Sequence, residues 1–201
     1  FELGISLYTH ADEVVRRLQS KFDDDSLINS GICFRNDSGG LVLRFRNRIM
    51  FPIRTAPGTL IGFGARDITG KAPAKYKNSP ESELFHKRNV MYGMNTAKRA
   101  MIKSKRAIVC EGYMDTIALQ THGFEYSIGA MGTALTENNI RKLSNFANTI
   151  YLSLDSDKAG ISAAMRTAET IPAEFESDVR VLTIPEVECR TVDDVKRVSP
   201  N

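Results

Sequence analysis

Apolar residues at Val14, Val15 and Leu18 share one face of a 3.6-residue period, and Asp12 stands where a cap is wanted. A short helix is therefore predicted over 12–19. Asp23-Asp24-Asp25 and the run Asn36-Asp37-Ser38-Gly39-Gly40 interrupt the pattern and read as loop or turn. Between Leu41 and Ile68 the pattern changes to short β-rich runs, Leu41 to Leu43, Ile49 to Phe51 and Leu60 to Phe63, broken by Pro57-Gly58. That pattern predicts a small antiparallel sheet with a hairpin around 56–59. Residues 69–88 are polar and irregular, and 95–104 read as helix.

From Ala107 onward strands and helices alternate: strand 107–110, helix 114–121, strand 126–128, helix 136–145, strand 149–154, helix 158–169, strand 179–184. Alternation with helices of this length predicts βαβ units and a parallel sheet covered on both faces. The fold class is accordingly α/β, a mixed N-terminal subdomain over 1–104 followed by an α/β subdomain over 105–201. No internal repeat or low-complexity linker divides the 201 residues. With 42% apolar and 25% charged residues, and no apolar run of roughly 20 residues, the chain reads as a soluble globular protein with no membrane span and no export signal.

The net charge of +3 conceals an asymmetry. Residues 1–104 carry 17 Lys and Arg against 10 Asp and Glu, whereas residues 105–201 carry 10 against 14. Between Arg44 and Lys105, 14 cations face only Asp67, Glu81 and Glu83. Such an excess goes beyond what solubility requires and suggests a polyanion partner. Cys33, Cys110 and Cys189 stand far apart with no His at ligand spacing, so they read as reduced structural thiols without a zinc site or disulfide framework. His10, His86 and His122 are isolated structural histidines, and no G-x-x-x-x-G-K-[ST] phosphate loop occurs.

Chemistry in an open α/β sheet collects at the carboxyl ends of its strands. Glu111 follows one predicted strand, with Asp115 four residues on; Asp155-Ser156-Asp157 follows another. On adjacent strands these four carboxylates converge on one rim. Two such charges about 4 Å apart repel by roughly 4 kcal/mol at an effective dielectric near 20, which a divalent cation relieves. All-oxygen ligation favours Mg²⁺ or Mn²⁺. The competing explanation is capping, since helix N-termini attract Asp and Glu for that reason alone.

Three stretches, Val109-Cys110-Glu111-Gly112-Tyr113-Met114-Asp115, Ala130 to Thr136, and Asp155-Ser156-Asp157-Lys158-Ala159-Gly160, resemble in order and spacing the TOPRIM domain of bacterial DnaG-type DNA primases. Arg44 to Ile53, Ile61 to Arg66, Lys75 to Glu81, Leu84 to Lys87 and Met91-Tyr92-Gly93 resemble the RNA-polymerase core of the same family, so the resemblance spans nearly the whole chain. It implies a DNA-dependent RNA polymerase, a nucleotidyltransferase making short RNA primers for DNA replication.

Carried onto this sequence, the resemblance makes Glu111, Asp115, Asp155 and Asp157 metal ligands for Mg²⁺ or Mn²⁺, with Glu111 also a candidate general base. The family's third acidic element is altered. Thr191 falls where its first aspartate stands and Asp193 where its second does, so Asp193 is a weak ligand and fewer or weaker metals are expected there. Arg46, Arg66, Lys75, Asn78 and Lys87 match positions that face template or nucleotide phosphates, and Tyr76 and Phe85 are candidates for stacking bases, with ordinary core packing the stronger reading for Phe85. The implied partners are a single-stranded DNA template, ribonucleoside triphosphates, the RNA primer and, through a missing C-terminal region, the replicative helicase. Zinc is expected only in a missing N-terminal module, and the location is the cytoplasm, at the replisome. Two alternatives are a primase-like segment of a phage or organellar primase-helicase, and a degenerate TOPRIM module that binds single strands without synthesis.

Overall fold

The computed structural model describes residues 1–132, 135–155, 158–169 and 178–182. Strands β1 (Gly4–Ser6), β4 (Arg48–Arg54), β5 (Leu60–Asp67) and β6 (Tyr76–Asn78) form an antiparallel sheet in the order β1-β4-β5-β6. The β4–β5 hairpin closes through Thr55 and Thr59, where the sequence predicts it. Helix α1 (Ala11–Gln19) matches its expected span within a residue.

The sequence reading needs three corrections in this half. Asp23-Asp24-Asp25 is no loop but the start of α2 (Asp24–Asn29): the Asp23 carboxylate caps it by accepting the Ser26 N–H at 2.7 Å. Leu41–Leu43 (β3) stays out of the main sheet. It pairs instead with β2 (Cys33–Arg35) across the Asn36–Gly40 turn. The two short helices fold over this ribbon, burying Val15, Leu27, Cys33 and Leu43 together. Finally, the irregular 69–88 stretch contains β6, three residues whose strand character comes from pairing with β5 and not from propensity.

After α3 (Met94–Ser104) the alternation holds: β7 (Arg106–Cys110), α4 (Tyr113–Thr121), β8 (Ser127–Gly129), α5 (Glu137–Ser144), β9 (Thr149–Ser153), α6 (Lys158–Glu169) and β10 (Asp178–Val181). The four strands are all parallel, in the order β10-β9-β7-β8. Central β7 and β9 bury Ala107, Val109, Ile150 and Leu152 completely, as strands covered on both faces must. Each of the larger three contributes roughly 1.5–3 kcal/mol of burial.

The halves are joined by backbone as well as side chains. Tyr92 and Gly129 exchange two N–H to carbonyl bonds of 2.9 and 3.0 Å, which carries the parallel sheet across the junction. Cys33 and Cys110 are buried free thiols, and burial raises both, Cys110 to about 12; Cys189 lies outside the described residues. Among the described residues no helix is long and apolar enough to cross a membrane.

Candidate active site

Because β7 and β9 are hydrogen-bonded neighbours with Cys110 opposite Ser153, the residues that follow them leave the sheet at the same rim. Glu111 and Asp155 therefore meet: Glu111 Oε2 accepts the Asp155 N–H at 3.4 Å. Glu111 is half-buried and Asp155 exposed. The glycine at 160 explains how the second loop lies so close to its helix, because a Cβ there would sit 2.2 Å from the Asp155 carbonyl oxygen.

Asp115 is also on this rim, but one of its oxygens is spent. Its Oδ2 accepts the Gly112 N–H at 3.0 Å, so it caps α4 and complements the helix dipole. Thr116 Oγ1 donates to the Gly112 carbonyl at 2.8 Å and lies 3.2 Å from Cys110 Sγ, which fixes the Glu111-Gly112 turn from below. Asp157, Thr191 and Asp193 lie outside the described residues, as does the side chain of Lys158. Among the described residues no three His, Cys, Asp or Glu gather as a metal site. What the rim offers is the Glu111 carboxylate against the Asp155 backbone, with the two residues carrying hard oxygen donors of the kind Mg²⁺ or Mn²⁺ takes.

Tyr113, the first residue of α4, ties this rim to the antiparallel sheet. Its ring lies flat on Phe51, centroids 4.8 Å apart at 15°, and meets Tyr92 edge-on at 4.7 Å. The space it fills exists because residue 64 is glycine: a Cβ there would stand 2.2 Å from Tyr113 Cζ. Its hydroxyl donates to Asn78 Oδ1 at 2.6 Å, leaving the Asn78 amide nitrogen to donate elsewhere. Burial raises the Tyr113 phenol, with the neighbouring Tyr92 and Tyr76 adding to it, so the hydroxyl stays a donor at physiological pH.

Strand register puts Arg66 beside Tyr76 on the sheet face shared with Phe51, Gly64 and Asn78. The Arg66 guanidinium stands 5.7 Å over the Tyr76 ring. Lys75 is exposed at the same end of the sheet, and Lys87 is half-buried in a short turn whose N–H bonds Glu81 Oε1 at 3.1 Å. Arg46 is exposed beyond β4, with its guanidinium over Tyr8. Of the two candidate stacking residues, Tyr76 is 38% exposed, but Phe85 is only 1% exposed and packs under Gly62. Phe85 is a core residue, as the stronger of its two sequence readings has it, and is not available to stack a base.

Not every cation counted in the sequence is available. Arg48 is buried and its guanidinium holds the Ala74 and Lys75 carbonyls, while Arg54 pairs with Glu2. Burial lowers the Lys77 ammonium, and the positive charges of Arg44, Arg48 and Arg46 depress it further.

Residues 1–98 match the family model for the N-terminal domain of the DNA primase catalytic core, and residues 108–195 match the Toprim-like family model. The chain belongs to the DnaG-type primase catalytic-core family. A DNA primase of Synechococcus elongatus is 38% identical over 197 residues, covering 92% of this chain and 28% of its own length. Among solved structures, a DNA primase domain from Pseudomonas aeruginosa superposes with TM-score 0.83 at 34% identity, covering 98% of this chain and 62% of that one. A DnaG primase catalytic domain bound to single-stranded DNA does so with TM-score 0.82 at 33% identity and the same coverage. This primase-family segment thus spans little more than a quarter of the length of its curated relatives. The relatives being DNA primases, neither the primase-helicase segment nor the non-catalytic module is favoured.

The sequence singles out the acids and cations of the site but misses the part that joins them. Tyr113 and Gly64 are 49 positions apart, and nothing in either local pattern announces their contact.

Proposed function

We propose that the protein carrying this segment is a nucleotidyltransferase that builds short RNA primers on single-stranded DNA in the cytoplasm. One observation carries the reading: Glu111 and Asp155 meet on a rim whose next residue but one, Tyr113, is hydrogen-bonded to Asn78 of the basic sheet. Carboxylates that hold cations and cations that hold phosphates are thereby set side by side, as polymerisation of nucleoside triphosphates demands.

In this reading residues 105–201 supply the cation site and residues 1–104 the phosphate-binding face. Glu111 and Asp155 hold Mg²⁺ or Mn²⁺, with Asp157 and Asp115 completing the set and Asp193 a weaker ligand. When bound, such an ion neutralises charge on the reacting phosphates and helps align attacking and leaving oxygens. Glu111, whose Oε2 already accepts the Asp155 N–H, is held in place for ligation or for accepting a proton from the primer 3′-hydroxyl. Arg66 and Asn78 face the incoming ribonucleoside triphosphate, while Lys75, Lys87 and Arg46 follow the template backbone. The neighbouring structure bound to single-stranded DNA supports that partner. Because phosphate contacts release counterions, template affinity falls steeply with salt.

The test is primer synthesis by the full-length protein on single-stranded DNA with ribonucleotides. Short RNA products that disappear on chelation of divalent cations and return with Mg²⁺ or Mn²⁺ are expected. Absence of product with every divalent ion, despite template binding, would overturn the catalytic reading in favour of a binding module.

A further inference from the structure

The largest exposed aromatic surface near the basic sheet belongs to a residue outside the reaction just described. Tyr8 is 60% exposed, in the short turn between β1 and α1. Exposure of that extent on an apolar ring calls for a reason, and the surroundings supply one.

The Arg46 guanidinium lies over the ring, 5.6 Å from its centroid, and the residue is otherwise largely open to solvent. The turn is anchored: the Tyr8 N–H donates to Asn47 Oδ1 at 2.8 Å, and Ser6 Oγ donates to the Phe45 carbonyl at 2.6 Å. Asn47 sits in the left-handed region, φ 51°, and its carbonyl takes the Ile68 N–H at 3.1 Å. Tyr8 is therefore held against β4 and β5 and does not hang on a loose tail. A fixed aromatic ring backed by guanidinium, with its other face open, is a stacking platform for a planar group.

Its position decides what kind of planar group. Ser6 pairs with Arg48, Arg48 with Asp67, and the Asp67 N–H donates to the Lys75 carbonyl, so Tyr8 and Arg46 stand at the same sheet end as Lys75 and Tyr76. Arg46 and Lys75 are both exposed there. Asp67, an acid on that edge, is turned into its own loop, accepting from the Thr69 N–H and hydroxyl. Among the described residues Arg46 makes no ion pair. The edge combines two exposed cations for a phosphate backbone, Arg46 and Lys75, with two Arg-backed tyrosines, Tyr8 and Tyr76.

We infer that Tyr8, backed by Arg46, is a second base-stacking post for single-stranded nucleic acid, extending the strand path beyond Lys75 and Tyr76 around the end of the antiparallel sheet. The inference rests on the template-binding reading above and adds a contact to it. Stacking is indifferent to base identity, so the post strengthens binding without selecting sequence.

Residues 1–201 contain no Trp, so the emission difference between the Tyr8→Trp protein and its parent reports position 8 alone. Titration of the full-length protein with oligo-dT is expected to quench that difference. Tyr8→Ala should weaken oligo-dT binding by about fivefold or more with the salt slope unchanged, whereas Tyr8→Phe keeps the affinity. Arg46→Ala should lower the slope of log K against log salt by about 0.7, the signature of one lost phosphate contact. If the parent binds oligo-dT but the Tyr8→Trp emission does not move, or Tyr8→Ala binds as tightly as the parent, the post does not exist and the template-binding reading stands. If the parent does not bind oligo-dT, that reading fails and the post with it.

Discussion

Glu111→Gln and Asp155→Asn are each expected to lower primer synthesis by about a hundredfold or more, while leaving the affinity for single-stranded DNA equal or slightly tighter. Each change removes a negative charge but keeps a side-chain oxygen and the shape of the residue. Gln at 111 still has an oxygen to accept the Asp155 N–H, so the turn survives and the loss is chemical. Template affinity is spared because the strand lies on the cationic sheet, and one carboxylate fewer repels its phosphates less. Two residues that serve one cation fail together. The double variant should therefore be about as inactive as the worse single one, far short of the product of the two losses. Steady-state primer yield at matched Mg²⁺, read beside oligonucleotide binding, checks this; yield within twofold of the parent for either variant would remove that residue from the site.

A second large effect is expected where no charge is involved. Gly64→Ala places a methyl 2.2 Å from Tyr113 Cζ and 2.3 Å from its hydroxyl. Neither side has room to give. Gly64 is paired on both flanks, with Phe51 in β4 and Asn78 in β6, and the Tyr113 ring is pinned by its Phe51 stack and its Asn78 hydrogen bond. Overpacking of this kind costs about 1–3 kcal/mol and more where relief breaks a hydrogen bond as well. For a domain of this size that is roughly 3–10 °C in melting temperature. Activity should fall beyond what stability explains, since Tyr113 adjoins the Glu111-Gly112 turn. In a Tyr113→Ala background the same Gly64→Ala change should cost much less, because the ring it collides with is gone. Additive melting-temperature losses in that double-mutant cycle would contradict the coupling.

Much of this arrangement was legible from residue order. In the second half, hydrophobic runs and helical spacing mark the elements of the described residues to within a few positions, because parallel strands buried on both faces leave near-continuous apolar runs. The carboxylates stood just after those runs. Adjacency of β7 and β9 was not legible: strand order is set by crossover packing, and only the structure brings Glu111 to Asp155. In the first half the reading was poorer for a physical reason. Strands of three residues such as β2 and β6 carry too few positions for a period to register. Asp23 looked like a turn because the residue that caps a helix and the residue that breaks one are the same kind. Phe85 lies among cations in sequence, which leaves stacking open beside core packing, and its neighbours in space, Gly62 and Ser79, decide for the core.

The central claim is that acids from separate strands share a cation beside the cationic sheet. Crystals of the full-length protein soaked in Mn²⁺, with data collected to record the anomalous signal of the metal, test it most directly. The account predicts a peak about 2.1 Å from carboxylate oxygens of both Glu111 and Asp155. Manganese bound elsewhere, with nothing between those two side chains, would contradict it.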